Sequence, residues 1–235
     1  MPITTVMFDL DGTLLPMDPE LFIKDYFGRI IRHMAPHGYE AQTLIDLLWK
    51  GTGAAIENDG SCSNEEVFWS VAKGMCGEKI IKDKPLFDEF YVKEFDKVKA
   101  SCGFAPESAG IIASLKKRGL RVILATNPIV PAQATKWRIQ WAGLKFEDFD
   151  LVTTYENSCH CKPNTDYYRD ILARFDLKGE ECIMVGNDVQ EDMIARTLGM
   201  KVFLLTPCLI DRNNEDISVY PHGGYKELAD FLDTI

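Results

Sequence analysis

Five short runs rich in Val, Ile, Leu and Phe recur along this chain: Thr4–Asp9, Arg121–Thr126, Leu151–Thr154, Cys182–Gly186 and Lys201–Leu205. They are too continuously apolar to alternate between core and water, so each reads as a strand buried on both faces. Pro106–Lys117, Pro131–Ala142 and Thr165–Phe175 carry apolar residues every three or four positions and read as helices. Strand alternating with helix predicts a parallel sheet covered on both faces and joined by right-handed crossovers. That is an α/β, Rossmann-like three-layer fold.

One stretch breaks the rhythm. From about Leu15 to Cys102 no convincing strand occurs, and amphipathic helices are expected over Pro19–Met34, Ala41–Trp49, Asn64–Cys76 and Pro85–Ala100. Ser63 is the expected N-cap of the third, with Glu66 completing a capping box. The small and polar Gly51–Asn64 segment (GTGAAIENDGSCSN) is expected to loop. The chain therefore reads as a core of residues 1–16 and 96–235 interrupted by a helical insert, 17–95.

The net charge of −10 comes without a basic stripe, which argues against nucleic acid as a partner. No segment resembles a signal peptide, and none reaches the roughly 18 apolar residues of a membrane span. The expectation is a cytoplasmic protein with no membrane partner. Seven scattered cysteines, an odd number, fit reduced thiols better than a disulfide framework. Cys159-His160-Cys161 offers soft ligands, but no second pair stands at zinc-site spacing, so no metal is expected there.

Ligands in an open parallel sheet bind beyond the carboxyl ends of the strands, and four of the five runs lead to reactive residue types there. The first ends in Asp9-Leu10-Asp11-Gly12-Thr13 and the second in Thr126-Asn127. Lys162-Pro163 follows the third; the fourth ends in Gly186-Asn187-Asp188, with Asp192 four residues on. The fifth, ending in Thr206-Pro207, reads as a plain loop. If a helix begins near Asp188, its carboxylate and that of Asp192 share a face and would repel unless a cation intervened. Hard oxygen ligands suit magnesium.

In order, strand context and spacing these segments resemble the four signature motifs of the haloacid dehalogenase superfamily, end to end along the chain. The insert between the first and second motifs resembles the helical cap of the phosphoglycolate phosphatase and β-phosphoglucomutase-like group. The resemblance implies Asp9 as nucleophile and Asp11 as general acid and base. It also implies a Mg2+ ion held by Asp9, Asp188, Asp192 and the Asp11 backbone carbonyl. Thr126, Asn127 and Lys162 would receive the phosphate, with Asn127 and Asn187 either orienting neighbours or merely capping and turning.

The interval from Asp11 to Thr126 is about three times that from Thr126 to Lys162, which leaves room for one inserted domain only, at the first position. Caps of this kind close over the pocket and accompany small phosphorylated metabolites. Lys50-Gly51-Thr52-Gly53 reads as a flexible connection between cap helices, although its lysine and glycines would also suit an anionic ligand. Trp49, Phe68 and Trp69 read as cap core.

The resulting expectation is a magnesium-dependent phosphomonoester hydrolase working through an aspartyl-phosphate. A phosphosugar mutase would use the same residues. A dehalogenase would need neither the second aspartate nor the metal, and a non-catalytic binding module would be expected to lack a catalytic residue. Monomer and homodimer both stay open.

Overall fold

A computed structural model describes the chain over residues 1–235. Six parallel strands form one sheet in the order β3-β2-β1-β4-β5-β6. They are β1 (Thr5–Phe8), β2 (Arg121–Leu124), β3 (Leu151–Val152), β4 (Cys182–Gly186), β5 (Lys201–Leu205) and β6 (His222–Gly223). Phe8 lies in register with Leu124 on one side and Val185 on the other. The chain builds outward from β1 to β3, then restarts on the opposite side with β4. The order therefore reverses between β1 and β4, and a crevice opens at their carboxyl ends.

The apolar runs are explained by burial on two faces. All four residues of β1 are buried. Val6 and Phe8 join the larger core with Leu124, Ile183 and Phe203. Met7 faces the other way, against Ile123, Met184, Tyr167 and Tyr168. The sixth strand escaped the sequence reading because two residues, one exposed and one half-buried, leave no apolar run to see. It is held by main-chain bonds, Leu204 N to Pro221 O and Thr206 N to Gly223 O, both 2.9 Å.

Helices α1 (Pro19–Met34), α2 (Ala41–Ile56), α3 (Asn64–Cys76), α4 (Glu78–Lys82) and α5 (Lys84–Lys93) lie between β1 and β2. After them come α6 (Pro106–Lys117), α7 (Ala132–Trp141), α8 (Thr165–Arg174) and α9 (Tyr225–Asp233). Asp18 caps α1 by accepting from the Glu20 and Leu21 amides, with Pro19 at the first turn where its missing donor costs nothing. The Ser63–Glu66 capping box starts α3. The two chain segments joining helices to sheet lie side by side: Met17 bridges Cys102, and Gly103 N donates to Pro16 O at 2.7 Å.

Three expectations need correction. Helix α2 does not stop at Trp49 but runs through Gly51-Thr52-Gly53 to Ile56, so this is neither a loop nor a flexible connection. Gly51 is buried against α3, and a Cβ there would lie 2.5 Å from the Phe68 ring, so the glycine serves close helix packing. The single helix expected over Pro85–Ala100 is divided into α5 and a 3-10 turn, Phe95–Ser101, which drives Phe95 into the aromatic cluster of Phe22, Tyr26 and Phe90. Where a helix beginning near Asp188 is considered, the regular element is a 3-10 segment, Met193–Leu198. No helix is long and apolar enough to cross a membrane, and all seven cysteines are free.

Candidate active site

The residues singled out at the strand ends converge in the crevice between β1 and β4, under the helices that follow β1. Asp9, Asp11, Thr126, Asn127, Lys162, Asp188 and Asp192 all line one cavity of about 300 Å³. At its centre is Lys162, 1% exposed, whose ammonium donates to Asp9 Oδ1 at 2.8 Å and to Asp192 Oδ1 at 2.7 Å. Burial works against the lysine's charge, yet the two carboxylates outweigh it and hold the ammonium well above its ordinary range. The same burial raises Asp192, with Lys162 pulling the other way.

Asp9 and Asp11 leave β1 through a turn that only glycine can make. Gly12 has φ +84°, and a Cβ on it would run into the Asn187 amide. Asn187 is a brace: it accepts from the Thr13 hydroxyl at 2.9 Å and donates to Cys208 O at 2.7 Å. Asn127 is also spent on orientation, accepting from the Lys162 amide at 3.1 Å and donating to the Lys162 carbonyl at 3.3 Å. Its side chain thereby holds the lysine's backbone while lining the cavity. Thr126 is buried, and its carbonyl is fixed by the Thr153 and Tyr167 hydroxyls.

Asp188 and Asp192 do lie one turn apart, because Asp192 N donates to Asp188 O at 2.9 Å. Asp192 Oδ2 in return accepts from the Asp188 amide at 3.0 Å. Gly186 makes this possible, since any Cβ there would overlap the Asp192 carboxylate. Asp188 Oδ1 accepts from the amides of Gln190 and Glu191.

Three functional neighbours escaped the sequence reading. Arg138, on α7 and 4% exposed, is ion-paired to Asp11 Oδ2 and donates to the Thr135 hydroxyl at 3.0 Å. Its Nε and Asp11 Oδ1 are buried without partners. Burial pushes the Asp11 carboxyl up, Arg138 draws it down, and Asp9 pushes it up again. Arg212 reaches Asp188 Oδ2 at 2.6 Å from the segment after β5, so that segment is not the plain loop expected. Glu191 accepts from Asn127 Nδ2 at 3.1 Å, and burial raises its carboxyl. A cation set within an apolar helical stretch, and a cation just past a strand's carboxyl end, were the available signals.

The sequence reading gave this site a metal. Nowhere do three or more His, Cys, Asp or Glu side chains form a ready cluster for an ion. Lys162 takes oxygens of Asp9 and Asp192, and Arg212 takes one of Asp188. The donor chemistry nonetheless fits a hard divalent cation: three buried carboxylates face one cavity beside the orphaned Asp11 oxygen. The motif Cys159-His160-Cys161 lies apart, with His160 paired to Asp170 at 2.7 Å and Cys161 accepting from Asn64 Nδ2 at 3.3 Å.

The sequence model described as haloacid dehalogenase-like hydrolase matches residues 3–196. The chain belongs to that family. Among curated relatives, the pyrophosphatase PpaX of Bacillus cereus strain G9842 is 25% identical over 86% of this chain and 82% of its own. The fold is also that of a 2-haloacid dehalogenase from Pseudomonas syringae pv. Tomato DC3000, with a TM-score of 0.64, 16% identity and 99% of each chain covered. A predicted phosphoglycolate phosphatase from Haemophilus somnus 129pt superposes at a TM-score of 0.58, with 16% identity over 99% of this chain and 97% of that one. In this chain the segments at the ends of β1, β2 and β4 and the Lys162 loop meet at one sheet, and residues of the helices between β1 and β2 line the same cavity.

Proposed function

We propose that the protein is a magnesium-dependent phosphomonoester hydrolase acting on a small phosphorylated metabolite. The observation that carries this reading is the buried Lys162 ammonium bridging Asp9 and Asp192, with Asp11 beside Asp9 on the same turn. A lone dehalogenation nucleophile would need no such second carboxylate. Asp9 attacks phosphorus, forming an O–P bond as the bond to the leaving oxygen breaks. Asp11, whose carboxyl is raised by burial, supplies the proton that the leaving oxygen takes up. Water then attacks the aspartyl-phosphate and gives its proton back to Asp11, so inorganic phosphate leaves and Asp9 is regenerated.

Lys162 offsets negative charge on the transferring group, and the Thr126 hydroxyl and nearby amides receive its oxygens. Asp9, Asp188, Asp192 and the Asp11 carbonyl would hold a Mg2+ ion, which would supply Lewis-acid charge neutralisation there. The similarity to PpaX supports phosphoryl chemistry and leaves the ester class to be argued from the cavity. The test is hydrolysis of acetyl phosphate and p-nitrophenyl phosphate with magnesium by the wild type and by Asp9→Asn. Turnover by the wild type and its loss in the variant is the expected result; equal turnover by both would remove Asp9 from the mechanism.

A further inference from the structure

The carboxylates and Lys162 occupy only the floor of the cavity. Its walls come from the helices between β1 and β2, and they are apolar: Phe22 and Phe27 from α1, Trp49 and Ile56 from α2, with Phe68 and Tyr91 behind. No charged side chain of the segment 17–101 lines the cavity. The polar groups there are few and mostly taken. The Tyr26 and Tyr91 hydroxyls bond each other at 2.5 Å, and Trp69 Nε1 donates to the Tyr155 hydroxyl at 3.5 Å. Thr52 is the remaining polar side chain on the walls.

Two of the wall residues are not core. Trp49 is 53% exposed and Ile56 38% exposed, although a tryptophan and an isoleucine of a soluble helix gain by burial. Trp49 meets Phe27 edge-on, ring centroids 5.3 Å apart, which forms an aromatic wall open to the cavity. It is therefore not the cap core expected from helical spacing, whereas Phe68 and Trp69 are buried as core. The cations on the core side are already committed: Lys162 to Asp9 and Asp192, Arg138 to Asp11, Arg212 to Asp188.

We propose that the leaving group of the substrate is a flat aromatic moiety, an aryl or arylmethyl phosphate monoester, held between α1 and α2 by Phe27 and Trp49. The proposal rests on the phosphomonoesterase reading above and names the ester class. A second anionic group, or the hydroxyls of a sugar, would be desolvated against rings and methyls with one threonine to receive them, and buried polar groups without partners weaken binding roughly tenfold or more each. An aromatic ring gains area and edge contacts instead. Size agrees: a dry apolar cavity of about 150 Å³ holds benzene, so about 300 Å³ takes a ring with its phosphoryl group.

The decisive measurement is calorimetric binding of three non-reacting or slowly reacting probes to the wild-type protein with magnesium. They are methylphosphonate, benzylphosphonate (isosteric with phenyl phosphate) and glucose 6-phosphate. Benzylphosphonate is expected to bind at least about tenfold tighter than either of the others. Trp49→Ala, at an exposed position that leaves folding intact, is expected to cut the benzylphosphonate affinity about five- to tenfold and leave methylphosphonate within about twofold. Ile56→Asp should do the same by placing a charge on the wall. Equal binding of methyl- and benzylphosphonate, or tighter binding of glucose 6-phosphate, overturns the proposal. Acetyl phosphate has no ring, so its turnover reports on the phosphatase reading alone. Failure there together with aryl-selective binding would sink that reading and keep the aromatic site.

Discussion

On the cavity floor, Lys162 lies 2.8 Å from Asp9 and 2.7 Å from Asp192, and each partner is held by a further hydrogen bond or ion pair. On the walls, Phe27 meets Trp49 edge to face at a centroid distance of 5.3 Å and Tyr26 in the same way at 5.4 Å, contacts made by rings and not by charges. The floor is a set of charges that must be buried together, because any one left alone would carry an uncompensated desolvation cost. The walls are a set of shapes, and dispersion and burial tolerate rearrangement. Reaction type should therefore be brittle to substitution, and substrate preference soft. The helices between β1 and β2 thus set tolerant walls against a floor whose members depend on one another.

The largest effect should come from Asp9. Asp9→Asn keeps the shape and removes the nucleophile, and a drop of at least about a thousandfold in turnover is expected for any phosphate ester, measured by phosphate release. Arylphosphonate binding should survive it far better than turnover does. Comparable losses of turnover and binding would mean that floor and walls are not separable. Next comes the metal. Excess EDTA should abolish hydrolysis and added magnesium restore it, with the Tm rising on magnesium addition if the carboxylates of Asp9, Asp188 and Asp192 take the ion. Full activity in EDTA would rule that ion out.

Lys162→Met ranks third for rate and first for stability. Losing one positioned charge at the transferring phosphoryl is expected to cost roughly 10²–10³ in kcat. The substitution also leaves Asp9 and Asp192 facing each other without their shared cation, which should cost about 3–5 kcal/mol of folding stability. Chemical denaturation reads the second effect independently of the first. A variant that loses rate but keeps full stability would show that the two carboxylates find another cation, and Arg138 and Arg212 are the other cations that line the cavity.

How much of this was readable in advance follows the same division. The β1 run and its Asp9-Leu10-Asp11-Gly12-Thr13 ending carry two-sided burial and turn chemistry in adjacent residues, so strand, turn and site are local facts. Arg138 and Arg212 were not local facts. Each becomes part of the site only because α7 or the segment after β5 is folded back onto Asp11 or Asp188, and their immediate sequence marks them only as a cation in a helical stretch and a cation past a strand's end, a signal that surface cations share. β6 was missed for the same reason: two residues pair because β5 offers an edge. Trp49 and Phe68 had the same helical spacing signal, yet one is core and the other is open to the cavity, because periodicity reports an apolar face without reporting what that face meets. Gly51 and Gly53 read as turn residues by type, whereas their place inside α2 is set by tertiary packing, with α3 lying against Gly51.

Those two glycines give the smallest and cleanest test of the walls. Both lie inside α2, where alanine is favoured over glycine by about 0.8–1.0 kcal/mol on helix propensity alone. At Gly53 a Cβ would meet nothing within 4 Å, so Gly53→Ala should realise that gain and raise Tm by about 2–4 °C in a chain of this size. At Gly51 the new Cβ would lie 2.5 Å from Phe68 Cδ2 and 2.6 Å from Cε2, and that ring is 9% exposed with Trp69 packed on it at 5.5 Å. The ring has little room to retreat, so overpacking of about 1–3 kcal/mol should exceed the propensity gain. Gly51→Ala is thus expected to lower Tm by a few degrees, in the opposite direction from its neighbour two residues on. Paired thermal melts decide it: a rise in both variants would mean that α2 and α3 slide apart at little cost, and that the walls are softer still than their packing suggests.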